Sequence, residues 1–120
     1  MRTIQFYISP SGSNPVQDFF DNLSDKQAEK VLWVLKIIKE MDRVPSSYFK
    51  KLVNTDDIWE ARIIIGGNIF RILGFMTENS FVILTNGFHK KSQETPASEI
   101  ALAESRKKDY LNRRKHHGRS

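Results

Sequence analysis

An α+β domain with the element order β-α-α-β-β-β-α is the fold this sequence predicts, and three observations predict it. The first residues alternate apolar and polar, then give way to two stretches with helical spacing. Residues 58–88 return to β-rich runs divided by turn chemistry. After Thr95-Pro96 a long charged segment has a helix start signal. Strands and helices segregated in this way point to a mostly antiparallel sheet with its helices on one face.

Each element has a local reason. Ile4, Phe6 and Ile8 alternate with Gln5 and Tyr7, the pattern of a half-buried strand. Ser9–Pro15 is dense in Ser, Gly and Pro and reads as a turn. Asn14-Pro15 reads as an N-cap followed by proline at the first helical position. Val16, Phe19, Phe20 and Leu23 then form one apolar stripe. Ser24 with Gln27 makes a capping box for a second helix, whose Ala28, Val31, Leu32, Leu35 and Ile38 share a face. Pro45 ends it, near Asp42. Ile58–Phe75 is two runs around Gly66-Gly67, a two-residue hairpin signal, and Ser80–Phe88 is a third run joined through Met76–Asn79. The last helix extends from Thr95-Pro96 to about Arg114.

At 120 residues the chain fits one domain, expected over residues 1–115 with a basic, disordered tail at 116–120. No apolar run approaches the roughly 20 residues that span a bilayer, and the N-terminus lacks the features of a signal peptide. Cysteine is absent, which excludes disulfides and thiolate zinc sites. A cytoplasmic protein without cofactor or metal is the expectation. The two tail histidines do not suggest a metal site, and Asp56-Asp57 reads as part of a turn. Trp33 and Trp59 read as core residues rather than base-stacking platforms. The net charge of +5 is concentrated after residue 100, since residues 1–100 are neutral overall. Such a basic terminus suits a polyanion, or else a solvated helix face.

The hairpin places its arginines together. With Gly66 and Gly67 as the loop, Arg62 lies opposite Arg71, on the side of the sheet away from Trp59, Ala61, Ile63, Ile65, Phe70 and Ile72. Directly opposed cations repel, by about 1 kcal/mol in water. Two guanidiniums converging on one anion would turn that cost into binding, because the planar fork of arginine matches phosphate. Glu60 on the same side offers another outcome, a diagonal Glu–Arg pair that neutralises the site without a ligand. A register slip would separate the arginines altogether. A turn centred on Glu78-Asn79 would place Asn86 opposite Arg71, so the polar side would run Arg62, Arg71, Asn86 toward His89, Lys90 and Lys91, with Lys50 and Lys51 entering before the hairpin. This surface suits an RNA backbone.

The segments Ile58–Phe75 and Phe81–Tyr110 resemble the RelE/HigB-like toxins of bacterial type II toxin–antitoxin systems, in particular the branch first described from phage. That branch has a pattern like L-W-E-L-R, R-I-L, then H-G-F-x-K-K-T-Q-K-T-P. Here the matching positions are Ile58-Trp59-Glu60-Ala61-Arg62, Arg71-Ile72-Leu73, Gly87-Phe88, Lys90-Lys91, Gln93, Thr95-Pro96, Glu99-Ile100 and Ala103. Two positions depart from it: Asn86 stands at the usual histidine and Glu94 at the usual basic residue, while His89 occupies the variable position. The resemblance implies an mRNA interferase that cuts transcripts on the ribosome and arrests translation, with a cognate antitoxin, often a helix-turn-helix protein encoded next door.

Metal-free RNA cleavage proceeds by attack of the 2′-OH on the adjacent phosphorus. It needs a base, an acid and cations for the phosphorane. Arg62 and Arg71 are the expected charge stabilisers, and Lys51, Lys90 and Lys91 would position the backbone. His89 or Glu60 would take the proton, with Tyr110 or a lysine such as Lys91 as donor. Lys50, Asn86, Arg113 and Arg114 complete the expected RNA surface. Strict alternation, however, places His89 on the core side of its strand. Two other functions fit the same sequence: a gyrase-poisoning relative that acts by protein binding, and a non-catalytic module that grips RNA or a partner helix.

Overall fold

The computed structural model describes residues 1–77, 80–89 and 94–117. Its elements are β1 (Thr3–Phe6), α1 (Pro15–Asp21), α2 (Asp25–Glu40), β2 (Phe49–Lys51), β3 (Trp59–Ile65), β4 (Asn68–Met76), β5 (Phe81–His89) and α3 (Ala97–His117). The expected α+β class and element order are present, with one addition. β2 is a three-residue edge strand that pairs with β3, too short to leave a periodic signature in the sequence. The five strands lie in the order β1-β5-β4-β3-β2, antiparallel except that β1 runs parallel to β5.

The helix starts form as their sequences dictate. Asn14 Oδ1 accepts from the Gln17 amide at 3.1 Å, and Pro15 opens α1. Both halves of the Ser24–Gln27 capping box are made. The end of α2 has a partner from outside the helix: the Arg2 guanidinium donates to the carbonyls of Ile38, Met41 and Asp42. A cation satisfying carbonyls at a helix C-terminus also opposes the negative end of the dipole.

The helices do not share one face of the sheet, contrary to expectation. α1 and α2 cover one side, where Val16, Val31, Val34, Leu35 and Ile38 pack against Ala61, Ile63, Phe70, Ile72, Val82 and Leu84. α3 covers the other, where Leu73, Phe75 and Ile83 meet Ile100, Ala103 and Tyr110. Leu73, Phe75 and Ile83 give the α3 face apolar patches of its own, beside the polar Glu60, Arg71 and Asn86, and apolar patches need a cover. Trp33 is also not a core residue. It is 45% exposed on α2, edge-on to Tyr48, with the Lys30 ammonium 4.2 Å from its ring. Trp59 does join the core and stacks on Phe49 at 4.8 Å.

The β3–β4 register is the one the Gly66-Gly67 loop predicts, with Gly66 at φ +59° supplying the left-handed conformation of the turn. The β4–β5 register is not. Leu73 pairs with Asn86 but Gly74 pairs with Leu84, so Thr85 is an extra residue in β5. This bulge reverses the alternation of β5 from Asn86 onward.

Candidate functional site

Arg62 and Arg71 are directly opposed on β3 and β4, on the α3 side of the sheet. Their surroundings differ. Arg71 is buried at 2% exposure, and its Nε lies 3.2 Å from Oε1 of the equally buried Glu60. Thr95, just before α3, closes this pair: its hydroxyl donates to Glu60 Oε1 at 2.8 Å and accepts from Arg71 Nη1 at 3.3 Å. Burying a carboxylate or a guanidinium alone is costly, and the pair with its shared hydroxyl offsets that cost. The half-buried Arg62 side chain forms no hydrogen bond or ion pair among the described residues, and its Nε is covered without a partner.

The diagonal Glu–Arg pair is therefore formed, but with only one of the two arginines. Glu60 offsets Arg71 and holds it under Thr95. Arg62 has no such carboxylate partner among the described residues. Lys50 sits opposite Glu60 on the exposed edge strand, so its side chain shares the face of Glu60 and Arg62. This face can receive an anion on the Arg62 fork, with the Lys50 ammonium nearby.

The other expected site residues are dispersed. The bulge places Asn86 opposite Leu73 rather than Arg71. Asn86 is buried, and its amide donates to the Glu99 backbone carbonyl at 3.2 Å and to Glu99 Oε1 at 3.0 Å. It ties β5 to the first turn of α3 instead of lining a cationic floor. Thr85, also buried, donates to Asn86 Oδ1 at 2.7 Å. His89 comes out on the α1 side, its ring tilted against that of Phe70 with centres 4.8 Å apart, so it does not share a face with Arg62, Arg71 and Glu60. Lys51 pairs with Asp57 at 2.6 Å, and this contact holds the exposed Asp57 carboxyl below its ordinary pKa. Lys90 and Lys91 lie outside the described residues.

Tyr110, Arg113 and Arg114 gather at the far end of α3, beside the start of the chain. Tyr7 donates to Asp109 Oδ2 at 2.6 Å, Arg113 pairs with Asp109 at 2.8 Å and donates to the Ile8 carbonyl, and Arg114 donates to the Tyr110 hydroxyl at 3.2 Å. Burial first, and the hydrogen bond to Asp109 second, raise the Tyr7 pKa. From Ala97 to Tyr110 the helix rises by about 20 Å. This basic cluster is thus separate from the arginine pair.

Sequence reasoning missed Thr95 as a site residue because Thr-Pro reads as a helix start. The available signal was Glu60: a carboxylate on the face of two arginines needs a second partner when a helix covers it. Among the described residues no group of three His, Asp or Glu side chains is arranged to hold a metal ion, and no helix is long and apolar enough to cross a membrane.

A five-stranded, mostly antiparallel sheet with helices on both faces and an opposed arginine pair on the side of the last helix defines a small α+β protein. Residues 18–108 match the family described as phage derived protein Gp49-like, and the chain belongs to that family, a toxin-like one related to RelE/HigB-type toxins. No curated protein matches the chain.

Proposed function

We propose that this protein is the toxin of a type II toxin–antitoxin system, an endoribonuclease that cleaves mRNA on the ribosome and so inhibits translation. The observation that carries this reading is the Arg62 guanidinium, without a side-chain partner among the described residues, opposite the clasped Arg71. During attack of a ribose 2′-OH on phosphorus, charge accumulates on the non-bridging oxygens, and a preorganised cation at that point lowers the barrier. Arg62 supplies that cation. Glu60 pairs with Arg71 and so leaves the Arg62 charge available, acting as the partner of Arg71 instead of taking a proton. Lys50 draws the RNA backbone to this face, a role the sequence also offers to Lys90 and Lys91. Membership of a toxin-like family implies an antitoxin partner, for which we propose a helix-turn-helix protein that covers the Arg62 face.

The test is induced expression of the wild type beside Arg62→Ala, read by growth and by mapping mRNA ends. Wild type arrests growth and yields fragments with 5′-OH ends, and the variant does neither. Intact mRNA on wild-type expression would overturn the reading. A second reading, a non-catalytic RNA-binding module, is favoured by the burial of Glu60 and Arg71 beneath Thr95. It predicts bound, uncut RNA in the same experiment.

A further inference from the structure

The face opposite the arginine pair carries an open cleft of about 530 Å³ between α1, the start of α2 and the ends of β4 and β5. His89 and Phe70 form one wall, the two rings tilted by 31° at 4.8 Å. His89 is exposed and makes no hydrogen bond or ion pair among the described residues. Phe19 approaches the floor at Gly87, where a Cβ would lie only 2.6 Å from its ring, so a side chain at 87 would displace Phe19 into the cleft. The bulge at Thr85 is what turns Gly87 and His89 toward this side.

Two amides line the cleft, and each has one half left over. Asn22 Nδ2 donates to the Asp18 carbonyl, which leaves Asn22 Oδ1 as an open acceptor. Gln27 Oε1 accepts from the Ser24 amide in the capping box, which leaves Gln27 Nε2 as an open donor. An aromatic wall with an open acceptor and an open donor suits a planar ring that presents both partners on one edge. Nucleobases have that chemistry, and sequence-tolerant binding of single strands relies on stacking against such side chains.

We propose that this cleft is a nucleobase subsite, with His89 as a stacking platform and the amides of Asn22 and Gln27 facing the base edge. It rests on the RNA reading above and extends it. β5 lies two strand spacings, roughly 10 Å, from β3, so a strand of RNA engaged by Arg62 on one face passes the end of β5 close to His89. His89 then selects and holds a base without being a proton carrier.

The experiment is an NMR titration of the full chain with each of the four nucleoside 5′-monophosphates, for wild type, His89→Ala, His89→Phe, Asn22→Ala and Arg62→Ala. Stacking predicts amide shifts around Phe19, Gly87 and His89 that weaken about 5- to 100-fold in His89→Ala. They persist in His89→Phe, which stacks but cannot titrate, and in Arg62→Ala. Asn22→Ala alters the order of preference among the four bases. Shifts confined to the arginines of α3, or binding lost equally in His89→Phe and His89→Ala, would overturn the subsite. Because binding is read without cleavage, an inactive wild type would refute the ribonuclease reading while leaving the subsite result standing.

Discussion

Arg62 and Arg71 face each other across β3 and β4, yet Glu60 pairs with Arg71 at 3.2 Å and leaves Arg62 uncompensated. The two arginines therefore respond differently to removal. Arg62→Ala relieves a repulsion of about 1 kcal/mol, so thermal stability holds or rises while growth arrest is lost. Arg71→Ala strands the Glu60 carboxylate in the interior at a cost of about 3–5 kcal/mol, lowering the melting temperature by on the order of 10 °C or more. The repulsion of opposed cations taken by itself predicts no loss of stability for Arg71→Ala, and the buried pair with Glu60 reverses that expectation. Thermal melts of both variants decide it. Equal melting temperatures would mean the pair contributes nothing.

The contrast also shows which parts of the site were readable beforehand. The β3–β4 register followed from Gly66-Gly67, since a two-residue loop fixes every pairing behind it. The β4–β5 register did not, because a single extra residue at Thr85 reverses the face of each residue after it and leaves no mark in composition. Asn86 was therefore expected opposite Arg71 and lies two residues further along β4, opposite Leu73, whereas His89 lies on the core side, where strict alternation had placed it. The side covered by α3 was equally hidden. Periodicity reports which residues of a helix are apolar, not which face of a two-sided apolar sheet receives them. Trp33 was assigned to the core by residue type, but its ring lies along α2 under Lys30.

Thr95 is the hydroxyl shared by Glu60 and Arg71. Thr95→Val keeps the shape and removes both hydrogen bonds, leaving the pair short of a partner at a cost of about 1–3 kcal/mol. Thr95→Ser keeps the hydroxyl and recovers most of the loss. Denaturant unfolding of the two variants checks this, and identical midpoints would exclude a role for the hydroxyl.

Gly74 and Gly67 make a controlled comparison. A Cβ at Gly74 would meet the Ile83 backbone oxygen at 2.3 Å, where β4 and β5 approach at the bulge, and backbone cannot swing aside. At Gly67 a Cβ meets nothing within 4 Å. Gly74→Ala should cost about 1–3 kcal/mol or prevent folding, and Gly67→Ala should stay within about 0.5 kcal/mol of wild type. Comparable stabilities would show that the strands separate freely at the bulge.

Tyr7 gives the fold an alkaline limit. Its hydroxyl is buried and donates to Asp109, so the folded pKa lies above the ordinary value near 10. A group whose pKa rises on folding contributes stability fully present below its unfolded pKa and lost as pH climbs toward the folded one. Stability should therefore fall above about pH 10 in the wild type, and this component of the fall should vanish in Tyr7→Phe. At neutral pH the same substitution costs about 1.5–3 kcal/mol, because the lost hydrogen bond is to a charged acceptor. Urea unfolding at neutral and alkaline pH separates the two effects, and parallel curves would contradict them.

The basic end of α3 makes a prediction about salt. Arg113 is already held by Asp109 and the Ile8 carbonyl, whereas Arg114 is exposed and, among the described residues, meets only the neutral hydroxyl and ring of Tyr110. A cation already paired within the protein releases few counterions from RNA, and a free one releases about one. On the RNA-binding reading, Arg114→Ala should lower the slope of log affinity against log salt by about 1, and Arg113→Ala should change it much less. Deleting residues 112–120 should flatten it further, since Lys115 goes with them. Fluorescence anisotropy with a short single-stranded RNA measures each slope. If the deletion leaves the slope of the intact chain, RNA does not reach this end of the helix and the positive charge there is only solvated surface.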